Sequence, residues 1–459
     1  MKVCKFGGSS LSDAERISKV CDIVQADPER RLVVVSAPGR RRAGDVKVTD
    51  MLIECAEAHL AGEDAEERLR DVLERYASIQ RELGLPEGLC DTIWTALLER
   101  LRADTAHRDR YLDGMKAAGE DNCAKVVAAE LDRRGVKARY ESPRDAGLLL
   151  SDEYGNAQLL PESYQHLAAL RDAEGVVVFP GFFGYTRDGE IVTFPRGGSD
   201  ITGSILAAAV KADAYENFTD QDSVFSVDPR LIPDARPIRE LTYREMRELS
   251  YAGFGILHDE AIIPAVHAGI PIWIRNTARP EAPGTRIVID REERPGTVVG
   301  IGSNDGFCTL FAGKYLMNRE IGFGRRVLQI LEEEALSYEH MPSGIDNLSV
   351  ILCEDGFDAS TEERVRERLR TELNVDDVEV ERGLALIMIV GEGMRYTVGL
   401  ASRATQALAE AGVNIEMMNQ GSSEISMMFG VKSGDRERAV RSLYNAFFGG
   451  DRAAGTDAA

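Results

Sequence analysis

Phe194-Pro195-Arg196-Gly197-Gly198-Ser199-Asp200 runs directly into Ile201-Thr202-Gly203-Ser204-Ile205-Leu206-Ala207-Ala208-Ala209, and this junction decides the fold. An unbroken run of small, apolar residues predicts a buried helix, and the two glycines before it let the backbone approach a ligand closely. Ser199 or Asp200 can cap the helix, whose first-turn N–H groups form an anion site. Arg196 adds a planar fork suited to a carboxylate or a phosphate. Taken alone, the stretch fits a capped turn before a core helix equally well. Its partners along the chain decide the matter.

The same grammar recurs on both sides of it. Lys2–Phe6 reads as a strand, Gly7-Gly8-Ser9-Ser10 as a tight turn, and Ser12–Val24 as an amphipathic helix opened by Ser12-Asp13 with Glu15 close behind. That geometry brings backbone N–H groups and the Lys5 ammonium to one point, as phosphate sites need. Arg31–Ala37 is an apolar strand ended by Pro38-Gly39, and Thr49-Asp50 opens a helix to about Ala61. Val176–Phe179 is a buried strand leading through Gly181 towards the opening loop, and Ala214–Phe218 is another, followed by the polar loop Thr219–Arg230. Helices at Thr242–Tyr251 and Asp259–Ala268 and a strand at Pro271–Ile274 follow. Strands alternating with helices predict an α/β domain with a mostly parallel sheet covered on both faces, and glycines at strand ends mark where such sheets bind ligands.

Two stretches between these elements carry less chemistry. Residues 63–113 are charged and helical, with Leu69, Val72, Leu73 and Tyr76 at three- and four-residue spacing, and read as a helical insertion with a solvated outer face. Gly119-Glu120-Asp121-Asn122 opens a further helix to about Arg134, where Glu120 is most simply an N-terminal acid stabilising the helix dipole.

The chain has 459 residues, enough for several domains, with 44% apolar residues and a net charge of −22. That charge argues against a nucleic-acid partner, since phosphate backbones need a basic face, and the one dense basic run, Arg40-Arg41-Arg42, reads as solvated. Seven scattered cysteines, none two residues from another, predict reduced thiols in a cytoplasm, and no histidine spacing suggests a protein-held metal. No apolar run approaches the ~18 residues that span a bilayer, which predicts a soluble protein without a membrane or secretory segment.

From about Phe307 the texture changes. Strand, helix, strand, strand, helix, strand occupies Phe307–Glu381, and a similar order recurs from Leu384 to Phe448. A repeat of about 70–80 residues is too long for a solenoid and suits paired ferredoxin-like modules. The division expected is a first domain over 1–300, modules over 306–381 and 382–449, and a frayed tail over 450–459.

Together these residues resemble the aspartate kinases of the amino-acid kinase family, which carry two C-terminal ACT regulatory modules. Lys5-Phe6-Gly7-Gly8-Ser9-Ser10 is similar to the family's opening motif, Val48-Thr49 to its substrate threonine and Gly119-Glu120 to its substrate glutamate. Arg196-Gly197-Gly198-Ser199-Asp200 is similar to its central loop, Thr219-Asp220 with Asp228-Pro229-Arg230 to its nucleotide loop, and Asn276-Thr277 to the closing segment. The chain departs from the family at Pro195, Gln221 and Ser223, and Ile256 stands where a nucleotide-contacting lysine is expected; His258 reads as structural.

The resemblance implies ATP and Mg²⁺ as co-substrate and cofactor and L-aspartate as acceptor. It implies Lys5 with the N–H groups of Gly7, Gly8 and Ser9 on the phosphates, and Asp200 orienting Lys5 or a metal-bound water. Thr49, Glu120, Arg196, Gly198 and Ser199 are implied on aspartate, and Thr219, Asp220, Phe225 and Arg230 on the nucleotide. It further implies a homodimer or homotetramer built through the ACT modules, and feedback by lysine or threonine at Met317, Gly322, Ser343, Gly344 and Asp346. A kinase for glutamate and a catalytically silent amino-acid sensor are the rival readings.

Overall fold

Residues of the strand β1 (Lys2–Phe6) alternate between two faces: Cys4 and Phe6 join one large apolar cluster, while Lys5 points the other way. The computed structural model describes residues 1–255, 259–292, 294–421, 423 and 425–449, divided between two compact units. The first comprises Met1–Val224, Pro237–Met246 and Gly255–Arg291. The second comprises Phe225–Arg236, Arg247–Phe254 and the chain from Glu292 onward. Ile256, His258, Ser422, Glu424 and the 450–459 tail lie outside the described residues.

In the first unit β1 leads to α1 (Ala14–Gln25), whose N-cap Asp13 accepts from the Arg16 N–H, and then to β2 (Arg30–Val35). Helices α2 (Val48–Leu60), α3 (Glu66–Leu83), α4 (Gly88–Leu101) and α5 (Arg108–Arg133) follow. Next come β3 (Ala138–Tyr140), the short helices α6 (Pro143–Ala146) and α7 (Ser163–Leu167), and β4 (Val176–Pro180). The hairpin β5 (Phe183–Tyr185) with β6 (Ile191–Thr193) precedes α8 (Gly198–Ala209) and β7 (Ala214–Thr219). The sequence closes with β8 (Glu240–Thr242), α9 (Tyr243–Tyr251, of which Arg247 onward is counted with the second unit), α10 (Ile263–Ala268), β9 (Ile272–Asn276) and β10 (Thr285–Val288). Eight strands form one sheet in the order β3-β4-β2-β1-β7-β9-β10-β8, parallel at every pairing except β9 with β10. Helix α5 packs on β3 and β4, and α8 packs on β1 and β7.

Three expectations need correction. The segment Gly119–Asn122 does not open a helix, because α5 starts at Arg108 and carries Glu120 through its buried middle. Neither Ser199 nor Asp200 caps α8; Gly197, at φ 78°, is the N-cap and no side chain completes it. Residues 259–268 begin as a 3₁₀ turn, Asp259–Ile262, before α10.

The second unit has a six-stranded antiparallel sheet. It contains β11 (Gly300–Gly313), α11 (Phe323–Glu333), β12 (Tyr338–His340), β13 (Asn347–Cys353), α12 (Ala359–Leu373) and β14 (Asp377–Val390). Then follow α13 (Leu400–Glu410), β15 (Met417–Asn419), β16 (Ser426–Lys432) and α14 (Arg436–Phe448). The strand order is β12-β13-β11-β14-β16-β15. The repeat therefore closes differently from its linear reading. The second copy ends on α14, and its fourth strand is the first part of β11, Gly300–Asn304, paired with Leu386–Val390. The two long strands pass from one module to the other at a bulge, where Gly306 (φ 86°) and Gly383 (φ 77°) take conformations that favour glycine. Among the described residues no helix is long and apolar enough to cross a membrane.

Candidate active site

The carboxyl ends of β1, β2, β4 and β7 and the start of α8 meet around Lys5. On the face of β1 that looks towards α8, Lys5 Nζ lies 2.5 Å from Asp200 Oδ1, and Asn217 Nδ2 of β7 donates to the same oxygen at 2.8 Å. Both charged side chains are nearly buried, at 10% and 13% exposure, so the pair acts in a medium that screens it weakly. Asp200 is the third residue of α8, and its main-chain oxygen accepts from Tyr215 Oη at 3.2 Å. The ammonium is thus held at a helix N-terminus, where partial positive charge already collects.

Two glycine contacts shape the turn after β1. A Cβ on Gly8 would lie 2.8 Å from the Ala37 carbonyl oxygen, and one on Gly39 would lie 2.6 Å from the Gly8 carbonyl carbon, so neither site admits a side chain without backbone movement. Gly39 N–H donates to Gly8 O at 2.8 Å, locking the turn to the loop after β2. Gly7 N–H donates to Phe218 O at 3.3 Å, and Ser9 is exposed. Ser10 Oγ lies 2.7 Å from Thr277 Oγ1, and Thr277 N–H donates to Thr219 O at 2.9 Å, tying the turn to the ends of β7 and β9.

Glycines also seat α8. A Cβ on Gly198 would meet the Phe182 ring at 2.6 Å, one on Gly181 would meet Ser199 Cβ at 2.6 Å, and one on Gly203 would meet the Tyr215 ring at 2.6 Å. Phe182 has φ 75°, a strained conformation for an aromatic residue. It is held by its N–H to Thr202 Oγ1 (3.0 Å) and its carbonyl to Phe194 N–H (2.9 Å). Arg196 stands exposed beyond this packing and forms no ion pair among the described residues.

Glu120 is buried, and burial pushes its carboxyl up to about 8 against the opposing effects of the Ala37 N–H and the Lys5 charge. Its Oε2 has no hydrogen-bond partner among the described residues. Gly119 permits this position, since a Cβ there would lie 2.7 Å from Ala37 Cβ. Thr49 is half-buried in the first turn of α2. Thr219 and Asp220 end β7, with Thr219 Oγ1 donating to Asp220 Oδ1 at 3.2 Å.

Phe225 and Arg230 belong to the second unit. There Phe225 packs against the apolar cluster of Val227, Ile389 and Leu443, and Arg230 is exposed and paired with Asp228 at 2.7 Å. The two turns expected to face an effector are hydrogen-bonded to each other. Leu316 N–H donates to Asp346 Oδ1 (2.8 Å), Lys314 N–H to Asp346 O (2.8 Å), and Asn318 N–H to Ile345 O (3.1 Å). Met317 is buried, Gly322 (φ 81°) is the N-cap of α11, and Ser343 and Gly344 bridge to Leu348 and Asn347. One oxygen of Asp346 is therefore occupied from within the chain. Sequence reasoning missed Asn217 and Phe182; the first sits unmarked in a strand, and a positive φ on phenylalanine has no sequence signal.

Residues 1–276 match the amino acid kinase family, and residues 387–447 match the ACT domain. The chain is 56% identical over 450 residues to aspartokinase 3 of Bacillus subtilis, covering 98% of this chain and 99% of that protein. The Clostridium acetobutylicum aspartate kinase structure superposes with a TM-score of 0.88 at 35% identity, covering 97% of this chain and 100% of that one. Escherichia coli aspartokinase III, at 27% identity and 98% coverage of this chain, superposes with TM-scores of 0.74 in complex with aspartate and ADP (100% of that chain covered) and 0.75 in complex with lysine and aspartate (99%).

Proposed function

Because this chain belongs to the amino acid kinase family and matches aspartokinases along its whole length, we propose that it transfers the γ-phosphoryl group of ATP to the side-chain carboxylate of L-aspartate. The products are 4-phospho-L-aspartate and ADP. The observation that carries this reading is the fixed Lys5–Asp200–Asn217 cluster in the same unit as the buried Glu120 carboxyl, whose Oε2 is left without a partner.

A carboxylate with a pKa near ~4 is ionised at neutral pH, so the nucleophile needs no strong base. An aspartate side-chain oxygen attacks the γ-phosphorus, the new O–P bond forms, and the bond to the bridging oxygen breaks with its electrons going to ADP. The demand on the protein is in-line positioning and neutralisation of charge on the transferring group. Lys5 and the N–H groups of Gly8 and Ser9 face the phosphates, while the Gly7 N–H is spent on Phe218 O, and Asp200 with Asn217 keeps the ammonium from straying. Glu120 receives the α-ammonium of aspartate, Arg196 its α-carboxylate, while Thr49, Gly198 and Ser199 set its orientation. Thr219 and Asp220 border the nucleotide, whereas Phe225 packs into the apolar cluster of the second unit and Arg230 is held by Asp228.

The donor set fits a Mg²⁺ carried in by the nucleotide, which asks for few protein ligands. Among the described residues no group of three acids, histidines or cysteines forms a cage, and Asp200 keeps Oδ2 free of the contacts that hold Oδ1. When bound, the ion would supply charge neutralisation to the transferring phosphoryl group.

The paired ACT modules support feedback by an amino acid such as lysine or threonine, and assembly into a homodimer or homotetramer. Seven free cysteines and diffusible substrates support a cytoplasmic enzyme. Trapping with hydroxylamine tests the reaction, with aspartyl hydroxamate expected from aspartate, ATP and Mg²⁺. Hydroxamate from glutamate alone would replace the acceptor, and none from either, with amino-acid binding intact, would leave a sensor.

A further inference from the structure

The helical insertion reads as a solvated accessory, yet two consecutive residues of α3 reach the loops around the active site. Arg75 is buried, and its guanidinium donates to Gly39 O (3.1 Å), to both oxygens of Asp45 (3.0 and 3.1 Å) and to Val46 O (3.1 Å). These acceptors lie at the two ends of one loop, 39–46, whose exposed middle is met from outside only at the Arg40 and Arg41 carbonyls, by Arg16 among the described residues; a Cβ on Gly44 would meet nothing within 4 Å. One end of the loop is Gly39, bonded to Gly8, and the other runs into Thr49. The neighbouring Tyr76 is also buried, and its hydroxyl donates to Gly119 O at 2.8 Å, the residue before Glu120.

We infer that Arg75 is a positioning residue for phosphoryl transfer, stapling the 39–46 loop so that Gly8 and Thr49 stand in register with Glu120. The physical reason is the guanidinium fork. Its coplanar N–H groups serve three acceptors at fixed angles, whereas an ammonium on a flexible stem can satisfy the charge of Asp45 but not also both carbonyls. Asp45 is itself shared, accepting from Arg41 Nε at 2.8 Å, and these two arginines hold its carboxyl well below the usual carboxylate range. A partner for Asp45 thus survives the loss of Arg75, but the two carbonyls lose theirs. The loop then keeps its charge balance and its Arg41–Asp45 and Arg16 bonds, but its two ends lose their common tie.

The inference rests on aspartate being the acceptor. The test is steady-state kinetics of the full chain as parent, Arg75→Lys and Leu97→Ala, with melting curves for each. Leu97 is buried in α4, where its apolar side chain can form no hydrogen bond to the loop, and serves as a destabilised control. Arg75→Lys should raise the KM for aspartate about 10-fold, in line with the rate sensitivity to small misplacements of reacting groups, with kcat changed less. Asp45→Asn in the Arg75→Lys background should add little, because both act through one staple. Leu97→Ala should melt earlier with its KM for aspartate unchanged. An unchanged KM in Arg75→Lys would overturn the inference while an active parent upholds the reaction. An equal rise in KM in Leu97→Ala would reduce Arg75 to a general stabiliser, also overturning it. A parent inactive on aspartate would overturn both readings.

Discussion

Lys5 and Arg196 are the two cations of the proposed catalytic centre, and they are held in opposite ways. Lys5 is nearly buried, grows from the central strand, and is fixed by Asp200, which is in turn fixed by Asn217. Arg196 is exposed on a loop and meets no carboxylate among the described residues. The difference follows from where each one's partner charge comes from. A cation that serves charge developing in the transition state must already be in place, since moving it during the reaction would add to the barrier. A cation that greets a substrate carboxylate gains by being uncommitted, because an internal partner would compete for it.

The largest effect expected from this contrast is at Lys5. Lys5→Met should lower turnover by at least ~10²-fold, the scale of removing a preorganised electrostatic donor. A near-normal kcat in this variant would erase the distinction between the two cations. Asp200→Asn should fall between, since it loosens the ammonium without removing it. Arg196→Ala should act on the other side of the contrast, raising the KM for aspartate about 10-fold before kcat falls. Equal losses in kcat for both cation variants would show that both act on the transition state.

The smallest effect separates a third charge, Glu120, by its pH dependence. Its carboxyl is raised by burial from 4.5 to about 8 in the folded protein. A folded value above the unfolded one means that the folded state holds the extra proton. The stability contributed is full below about 4.5 and is lost as pH rises through about 8. Melting temperature should therefore fall from pH 5 to pH 9 in the parent by a few degrees more, as an order of magnitude, than in Glu120→Gln. Aspartate binding should move the other way, the KM falling as the carboxylate appears, and this trend should vanish in the variant.

The elements that local chemistry specifies were legible in the chain. Asp13 marks the start of α1, and the apolar strands before Gly7, Pro38 and Gly181 are where the sheet lies, because caps, glycines and buried strands act within a few residues of themselves. Glu120 was legible as a residue but not as an environment. Glycine followed by acids and asparagine has the composition of a helix start, and only the approach of Ala37 explains why a glycine sits in mid-helix. The role of Arg75 was hidden for a similar reason. On a helix with an apolar stripe an arginine reads as solvated, and its acceptors are about 30 residues away. Nor does the repeat announce its swapped strand: β11 is interrupted at Asp305-Gly306, so its first five residues look like the end of what precedes them.

That shared strand bears on how the chain is made. Gly300–Asn304 emerges from the ribosome before every other part of the module it completes, and its partner Leu386 follows some 80 residues later. At about 5–20 residues per second this is a wait of roughly 4–16 s, long compared with the microseconds in which a hairpin closes. Through that interval the segment, Gly300-Ile301-Gly302-Ser303-Asn304, is a strand without its neighbour, with unpaired backbone groups open to a second nascent chain. The other module, continuous from Phe307 to Arg382, can close while the segment waits, leaving the second module's sheet to be completed last.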